Sequence, residues 1–504
     1  MANPSLQIGN SNWAIKEDNL LGYSTAGTRF VPQPITMTRA SAGTRVNSSG
    51  LVETVELLGS EEIVNGDFAT DSDWVKGTNI TISNGSAVFT DVTPYAELRQ
   101  NSVFTIGKTY KINFTVSGFN GGSVLVQESP NVNPQITVIN ASNDYSILYT
   151  AQTTTGITFK TVSGTVSMNL YNISVKESTK NNLARVDYDG TASSLLVEPE
   201  RTNEVTYSED FSNADWGNAS VGTTPVLTSG FTSPDGTDNA YKISNANQNS
   251  MWFSATLIGA SDSRTIYART VSGTGTAQLL SHNSNTNNTF NLTEEWQRFE
   301  VSATTSGIGQ TSYYAVDFRG GGTLDEVLIW GAQAEVGSYP TSYIPTDGGT
   351  VTRVQDQYSK TGISNLIGQT EGTWFVDVDF DTLSGLNMFL SIRPDSNSKI
   401  EMYRDGNLIY GDIVSSSSFT FIKTGVTVGR YKIALSYSSG SSAMYINGDL
   451  ISSNSTSFAF TSTLNDLYVG SRGGTSFIEQ AKYNDIKLYK TRLSNSELAT
   501  LTTI

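Results

Sequence analysis

Apolar and polar residues alternate with a period of two along much of the chain, and that rhythm leaves room for little besides β-structure. Tyr110, Ile112, Phe114 and Val116 fall on one side of such a run, with Lys111, Asn113 and Thr115 between them. Trp374, Val376, Val378 and Phe380 repeat the pattern, as do Tyr431, Ile433, Leu435 and Tyr437. Successive strand side chains point to opposite faces, so each run predicts a half-buried antiparallel strand. Asn-Gly at 84–85, 120–121 and 447–448 and Asp-Gly at 235–236 and 405–406 are the tight-turn dipeptides that join strands into hairpins. One helix is expected. Ser494-Asn-Ser-Glu497 is a capping box with Leu493 and Leu498 at the staple positions, and the short helix should seal the end of the last sandwich.

At 504 residues the chain is too long for one core, so about three or four domains are expected. Charged residues make up 15%, and the deficit is filled by Ser, Thr, Asn and 45 Gly, which suit turns and hydroxylated strand surfaces. Aromatics at 10%, with 23 Tyr, argue against disorder. A net charge of −16 repels nucleic acid phosphate. Cysteine is absent, which excludes disulfides and thiolate metal sites. No apolar run approaches the ~18 residues of a membrane span, so membrane insertion is not expected. The start, Met1-Ala-Asn-Pro-Ser-Leu, has neither basic residues nor an apolar core, and synthesis without secretion, in the cytoplasm, is expected.

An internal repeat organises the first two thirds. Asp67-Phe68, a short polar turn and Asp73-Trp74 resemble Asp210-Phe211, a polar turn and Asp215-Trp216. About a hundred residues later each is followed by an apolar closing strand, Leu170–Val175 and Leu324–Trp330. Two related sandwiches are read from this, 58–180 and 204–350. A third module, 351–504, begins after the Pro/Gly-rich hinge Tyr339–Gly349.

Two passages carry a family resemblance. Thr38-Arg-Ala-Ser-Ala-Gly-Thr-Arg through Glu53 and Ser194-Leu-Leu-Val-Glu-Pro-Glu-Arg-Thr-Asn203 resemble a segment common in structural proteins of tailed bacteriophages, of the tail-fibre, head-fibre or decoration type. In those relatives the passages sit close together, joined by a stretch like Ala184-Arg-Val-Asp-Tyr188. The separation in this chain implies that 58–180 is inserted into an anchor made of 1–57 and 181–203, which docks on the particle. Both 61–177 and 204–340 resemble jelly-roll carbohydrate-binding modules, and 370–504 resembles a concanavalin/laminin-G sandwich, on Tyr445–Ile451 and Tyr483–Tyr489. The fold class is therefore all-β, two jelly rolls and one concanavalin-like sandwich in tandem with an N-terminal anchor. The resemblance further implies a virion protein that binds other head, collar or tail proteins, attaches to host-surface glycans and forms a homotrimer. A glycan-cleaving spike and a purely architectural decoration protein are the alternatives.

Residues able to do chemistry are few. His282 is the single histidine, in a polar loop-like stretch without a nucleophile motif, so neither a triad nor a two-histidine zinc site is coded. Paired carboxylates can cleave glycosides, and Asp377 and Asp379 share one side of their strand. They are read as a solvated strand face, and no catalytic residue is expected. Sugar sites stack an aromatic ring on a pyranose and fix its hydroxyls with polar side chains. Trp252, beside Gln248 and Asn249, is the stacking candidate, and of the adjacent Tyr313 and Tyr314 one must face outward. Trp74, Trp216, Trp330 and Trp374 are read as core. No cofactor is required. Asn65, Asp67 and Asp210 stand where the jelly-roll family often carries a structural Ca2+, and Asp325 matches its closing-strand aspartate, so calcium ligation is the family's implication for these four.

Overall fold

A computed structural model describes residues 2–504 apart from 10–12, 17, 18, 25–29, 33, 34, 130–133, 154, 221–225, 245–248, 254–261, 281–288, 305–313 and 318–321. For 14–16, 19–24, 30–32, 218–220, 249–253, 302–304 and 315–317 it describes the backbone alone. The protein is all-β, with antiparallel sheets and, among the described residues, one short α-helix. Among the described residues no helix is long and apolar enough to cross a membrane. Two compact units emerge: Glu56–Lys180, and Met1–Val55 together with Asn181–Ile504.

The smaller unit is one sandwich. One sheet runs in the order Ile80–Ser83, Ser86–Val92, Val166–Thr179, Thr109–Asn120, Asn143–Thr150, with Leu57–Glu61 also on Val166–Thr179. The other runs Gln135–Ile139, Ser123–Ser129, Gly156–Ser163, Glu97–Gln100, Val75–Lys76. Alternation places Tyr110, Ile112, Phe114 and Val116 in the core, each 2% exposed or less. Asn84 and Gly85 take φ of 53° and 73°, the positive pair that a two-residue hairpin turn of the right twist requires.

In the larger unit a second sandwich repeats that sheet order. Val226–Phe231, Ala240–Ser244, Glu326–Val336, Asp262–Arg269 and Gln297–Thr304 follow the same sequence of hairpin, closing strand and two further strands. The repeated Asp-Phe and Asp-Trp elements do the same work in each. Trp74 Nε1 donates to Asn65 O at 3.0 Å and Trp216 Nε1 to Tyr207 O at 3.0 Å. Each indole packs on the phenylalanine of its own repeat, Phe68 at 5.5 Å and Phe211 at 4.8 Å between ring centres. Both tryptophans are 6% exposed, so the buried N–H needs that carbonyl.

The C-terminal sandwich faces an eight-stranded sheet onto a seven-stranded one. The first runs Arg185–Asp189, Ala192–Val197, Ala481–Tyr489, Glu371–Phe380, Gly429–Ser438, Ser442–Ile446, Asp449–Asn454, with Leu6–Gly9 also on Ala481–Tyr489. The second runs Phe419–Lys423, Leu408–Val414, Lys399–Asp405, Leu386–Ile392, Leu467–Val469, Gln357–Lys360, Thr36–Thr38. The passages 1–57 and 181–203 thus do not stand apart as an anchor. Their apolar positions Leu6, Ile8, Trp13, Met37, Val186, Leu195 and Val197 lie in the same core as Trp374, Val376 and Leu488. The reason is an edge: without Leu6–Gly9 and Ala192–Val197, the strand Ala481–Tyr489 would present one bare row of backbone donors and acceptors.

Helix Asn495–Thr502 starts with the expected capping box, Ser494 and Glu497 bonding reciprocally to each other's backbone. It covers a face rather than an end. Leu493 and Leu498 pack on Phe375, Ala434, Ala443 and Tyr445, the side of the eight-stranded sheet turned away from the main core.

This arrangement predicts opposite behaviour of two fragments. Residues 56–180 expressed alone should unfold in one cooperative transition. Residues 351–504 alone, lacking the strands from 6–9, 36–38 and 185–197, should elute expanded or aggregated on size exclusion and give a weak near-ultraviolet circular dichroism signal. A compact, cooperatively melting 351–504 fragment would contradict it.

Candidate functional site

The residues expected at functional sites are dispersed. Asn65 and Asp67 lie in the smaller unit, Asp210 and Asp325 in the larger. The Asn65 amide donates to Thr70 O at 2.7 Å and Ser72 O at 2.9 Å while its oxygen accepts from Thr70 N. Those carbonyls are the groups a calcium ion would take, and the side-chain amide already occupies them. Asp210 accepts from Ser212 N and Oγ and from the Tyr241 hydroxyl, which hold its carboxyl below the usual range, the Ser212 hydroxyl contributing most. Asp67 accepts from Ala69 N, closing a turn, and Asp325 is exposed. Among the described residues no group of three or more His, Asp or Glu is gathered as for a metal. The loops of Asn65, Asp67 and Asp210 are closed by their own hydrogen bonds.

Trp252 and Asn249 lie on strand Asn249–Phe253, where the Trp252 backbone is opposite Gly217 and Ala315; their side chains are outside the described residues. Gln248, Tyr313 and His282 also lie outside them. Tyr314 is a core residue, fully buried, with its hydroxyl donating to Thr265 O at 2.8 Å and its ring against Trp216. No sugar ring can reach it. Asp377 is likewise not on a solvated face: it is 3% exposed and grips Arg430 through two hydrogen bonds of 2.7 Å. Strand alternation tells which way it points but not what covers that face. Asp379 is half-buried.

The passages that carry the family resemblance meet instead in a buried charge network. Asp356 takes Arg39 Nη1 at 2.7 Å on one carboxylate oxygen and Arg185 Nη2 on the other. Arg185 Nη1 reaches Glu198 Oε2 at 2.6 Å, and Arg353 Nη1 reaches the same oxygen at 2.8 Å. All five side chains are 2% exposed or less. Ser342 donates its N–H and hydroxyl to Glu198, and Pro199 O accepts from Arg353, while Arg39 Nη2 and the Nε atoms of Arg185 and Arg353 stay buried without an acceptor. Burial alone would push the Glu198 carboxyl up, but Arg353 and Arg185 outweigh it and hold it far below the ordinary range. Asn203 completes the junction, donating to Ala332 O and Ile344 O and accepting from Val205 N and Ala334 N.

Beside this network the same segments wall a cleft of about 410 Å3. Tyr267, Tyr339 and Tyr343 line it with Asp187, Arg298 and Lys482, the Tyr343 ring being 3% exposed and packed on Tyr267 and Trp330. Lys482 Nζ pairs with Asp187 at 2.8 Å, and Val46 N donates to the other oxygen of that carboxylate at 2.7 Å. The Arg298 guanidinium lies 5.7 Å over the Tyr267 ring and donates to Thr265 Oγ1. Desolvation raises the Asp381 carboxyl at the rim, against the pull of Lys482. Rings set among fixed donors and acceptors suit a ligand that is both ring-shaped and rich in hydroxyls. Sequence reasoning missed this site, because its members come from seven separated stretches and no local motif joins them.

No protein-family model matches the chain, and no curated protein matches it. Among solved structures, the CBM40 of the Ruminococcus gnavus IT-sialidase bound to α2,3-sialyllactose aligns at 16% identity over 29% of this chain and 91% of its own, with a TM-score of 0.26. Domain 4 of AbnA, a GH43 extracellular arabinanase from Geobacillus stearothermophilus, in complex with arabinotriose, aligns at 18% identity over 33% and 84%, with a TM-score of 0.26. The receptor binding domain of botulinum neurotoxin mosaic serotype C/D aligns at 15% identity over 29% and 39%, with a TM-score of 0.25.

The network predicts a large mutational cost and a pH dependence. Asp356→Ala leaves Arg39 and Arg185 buried without their carboxylate and should lower stability by about 3–5 kcal/mol in denaturant unfolding. Because Glu198 titrates lower folded than unfolded, its contribution is complete above the ordinary carboxylate value of about 4.3 and is lost as pH falls below it. Melting temperature should therefore drop on acidification below that value. The drop should be shallower in Glu198→Gln.

Proposed function

We propose that the protein is a non-enzymatic structural component of a tailed-phage particle, a fibre or decoration protein made in the host cytoplasm, that binds host-surface glycans. The glycan reading is carried by the 410 Å3 cleft, where Tyr339 and Tyr267 stand among fixed donors and acceptors. The particle reading rests on the resemblance of 38–53 and 194–203 to tailed-phage structural proteins. A closed homotrimer, with one cleft per subunit, would convert weak sugar contacts into useful avidity without runaway association.

Full-length protein should bind host surface polysaccharide on an array, with light scattering giving three times the chain mass. Tyr339→Ala removes a ring from the cleft lip and should weaken binding about tenfold or more, within the range of about 1–3 kcal/mol for stacking on an aromatic ring. Its melting temperature should stay within a few degrees. Unchanged binding would remove the cleft from the reading.

One observation favours a second reading, cleavage of the glycan. Asp381 is shifted toward its protonated form while Asp187, in the same cleft, is paired with Lys482. A carboxyl held toward its neutral form with a second carboxylate in the same cleft is the pairing a general acid needs. Release of reducing sugar from bound polysaccharide, abolished by Asp381→Asn, would establish it. The non-enzymatic reading expects none.

A further inference from the structure

A second groove, of about 430 Å3, lies on the inserted sandwich and shares no residue with the cleft. Val75 and Lys76, Thr78, Tyr95, Glu97 and Arg99 line it. Tyr95 stands out twice: it is 75% exposed, and its φ is +75°, a left-handed conformation that an aromatic residue rarely adopts. The strain is enforced from below by Thr161, which is fully buried. Its carbonyl accepts from Tyr95 N at 2.7 Å, its N–H donates to Ala96 O at 3.0 Å, and its hydroxyl donates to Thr93 O at 2.7 Å and accepts from Ala96 N at 3.1 Å. Together with a longer one from the same hydroxyl to Ala96 O at 3.3 Å, these hydrogen bonds from one residue hold the turn and present the ring outward.

The charges around that ring are unevenly matched. Lys76 pairs with Asp71, and Lys160, 5.9 Å over the Tyr95 ring, pairs with Glu97 at 3.2 Å. Arg99 has no acidic partner among the described residues, and its Nε is buried without a hydrogen-bond acceptor. Burial keeps that Nε from the groove, just as the Nε atoms of the ion-paired Arg185 and Arg353 are buried, so it is the outer nitrogens, with no carboxylate on them among the described residues, that can take an anion with two oxygens side by side.

We propose that this groove is a binding site for carboxylate-bearing sugars, of the hexuronate class: Tyr95 stacks on the pyranose ring while Arg99 forks onto the sugar carboxylate. The assignment stands on the inserted sandwich alone and does not need the cleft. The test is calorimetric titration of the full-length protein with trigalacturonate and with neutral galactotriose, at low and at moderate salt. Trigalacturonate should bind at least tenfold tighter, with the gap narrowing as salt is raised. Arg99→Gln should bring the two sugars within about twofold of each other. Tyr95→Gly should abolish binding of both while the melting temperature stays level or rises, since glycine adopts that φ without strain. Tyr339→Ala, in the cleft, should leave trigalacturonate binding unchanged, which keeps failure of one site distinct from failure of the other. Equal affinity for the two sugars, absence of trigalacturonate binding at millimolar concentration, or a Tyr95→Gly protein that binds normally or melts sharply lower would overturn the assignment.

Discussion

Three arginines and two carboxylates buried together impose the central constraint on the larger unit. Removing such charges from water costs several kcal/mol per ion, and their mutual attraction returns this only when the geometry is complete. Arg39, Arg185, Glu198, Arg353 and Asp356 come from separated stretches, and Ser342 reaches in from the hinge. No pair of stretches can satisfy its charges without the others. The network therefore acts less as a source of stability than as a condition on assembly, because a misdocked segment leaves an ion buried and unpaired. The cleft inherits its rigidity from the same residues, since Glu198, Thr341 and Ser342 belong to its wall.

A second consequence concerns order of folding. Leu6 pairs with Leu488 and Ile8 with Ile486, so the first strand of the chain finds its place only beside the last. Thr36–Thr38 likewise waits for Gln357–Lys360. Contacts this distant in sequence are slow to form, and until they do the alternating apolar residues of the N-terminal passages remain exposed. The inserted sandwich has no such dependence. Its core is drawn wholly from residues 63–175.

The two related sandwiches show how one local device serves two settings. In each, an indole N–H is tied to a carbonyl nine residues earlier and packed on the phenylalanine that precedes it. What differs is the outer surface. In the first, Thr161 props up an exposed Tyr95; in the second, Tyr314 turns inward onto Trp216.

Local physics was legible in the sequence. The alternation at 110–116 and 374–380, the Asn84-Gly85 turn, the capping box at Ser494 and the core tryptophans each depend on residues a few positions apart, and the backbone obeys them wherever they occur. What covers a strand face or completes a sheet edge was not legible. Asp377 reads as solvent-facing and lies buried against Arg430; Tyr314 reads as a surface candidate and lies in the core; 1–57 and 181–203 read as a separate anchor, yet the strands at 6–9, 36–38, 185–189 and 192–197 belong to the sheets of the last sandwich. Period-two patterning says which residues share a side of a strand. Only the assembled sheets decide which side meets another layer, because burial and charge compensation arise from partners hundreds of residues away.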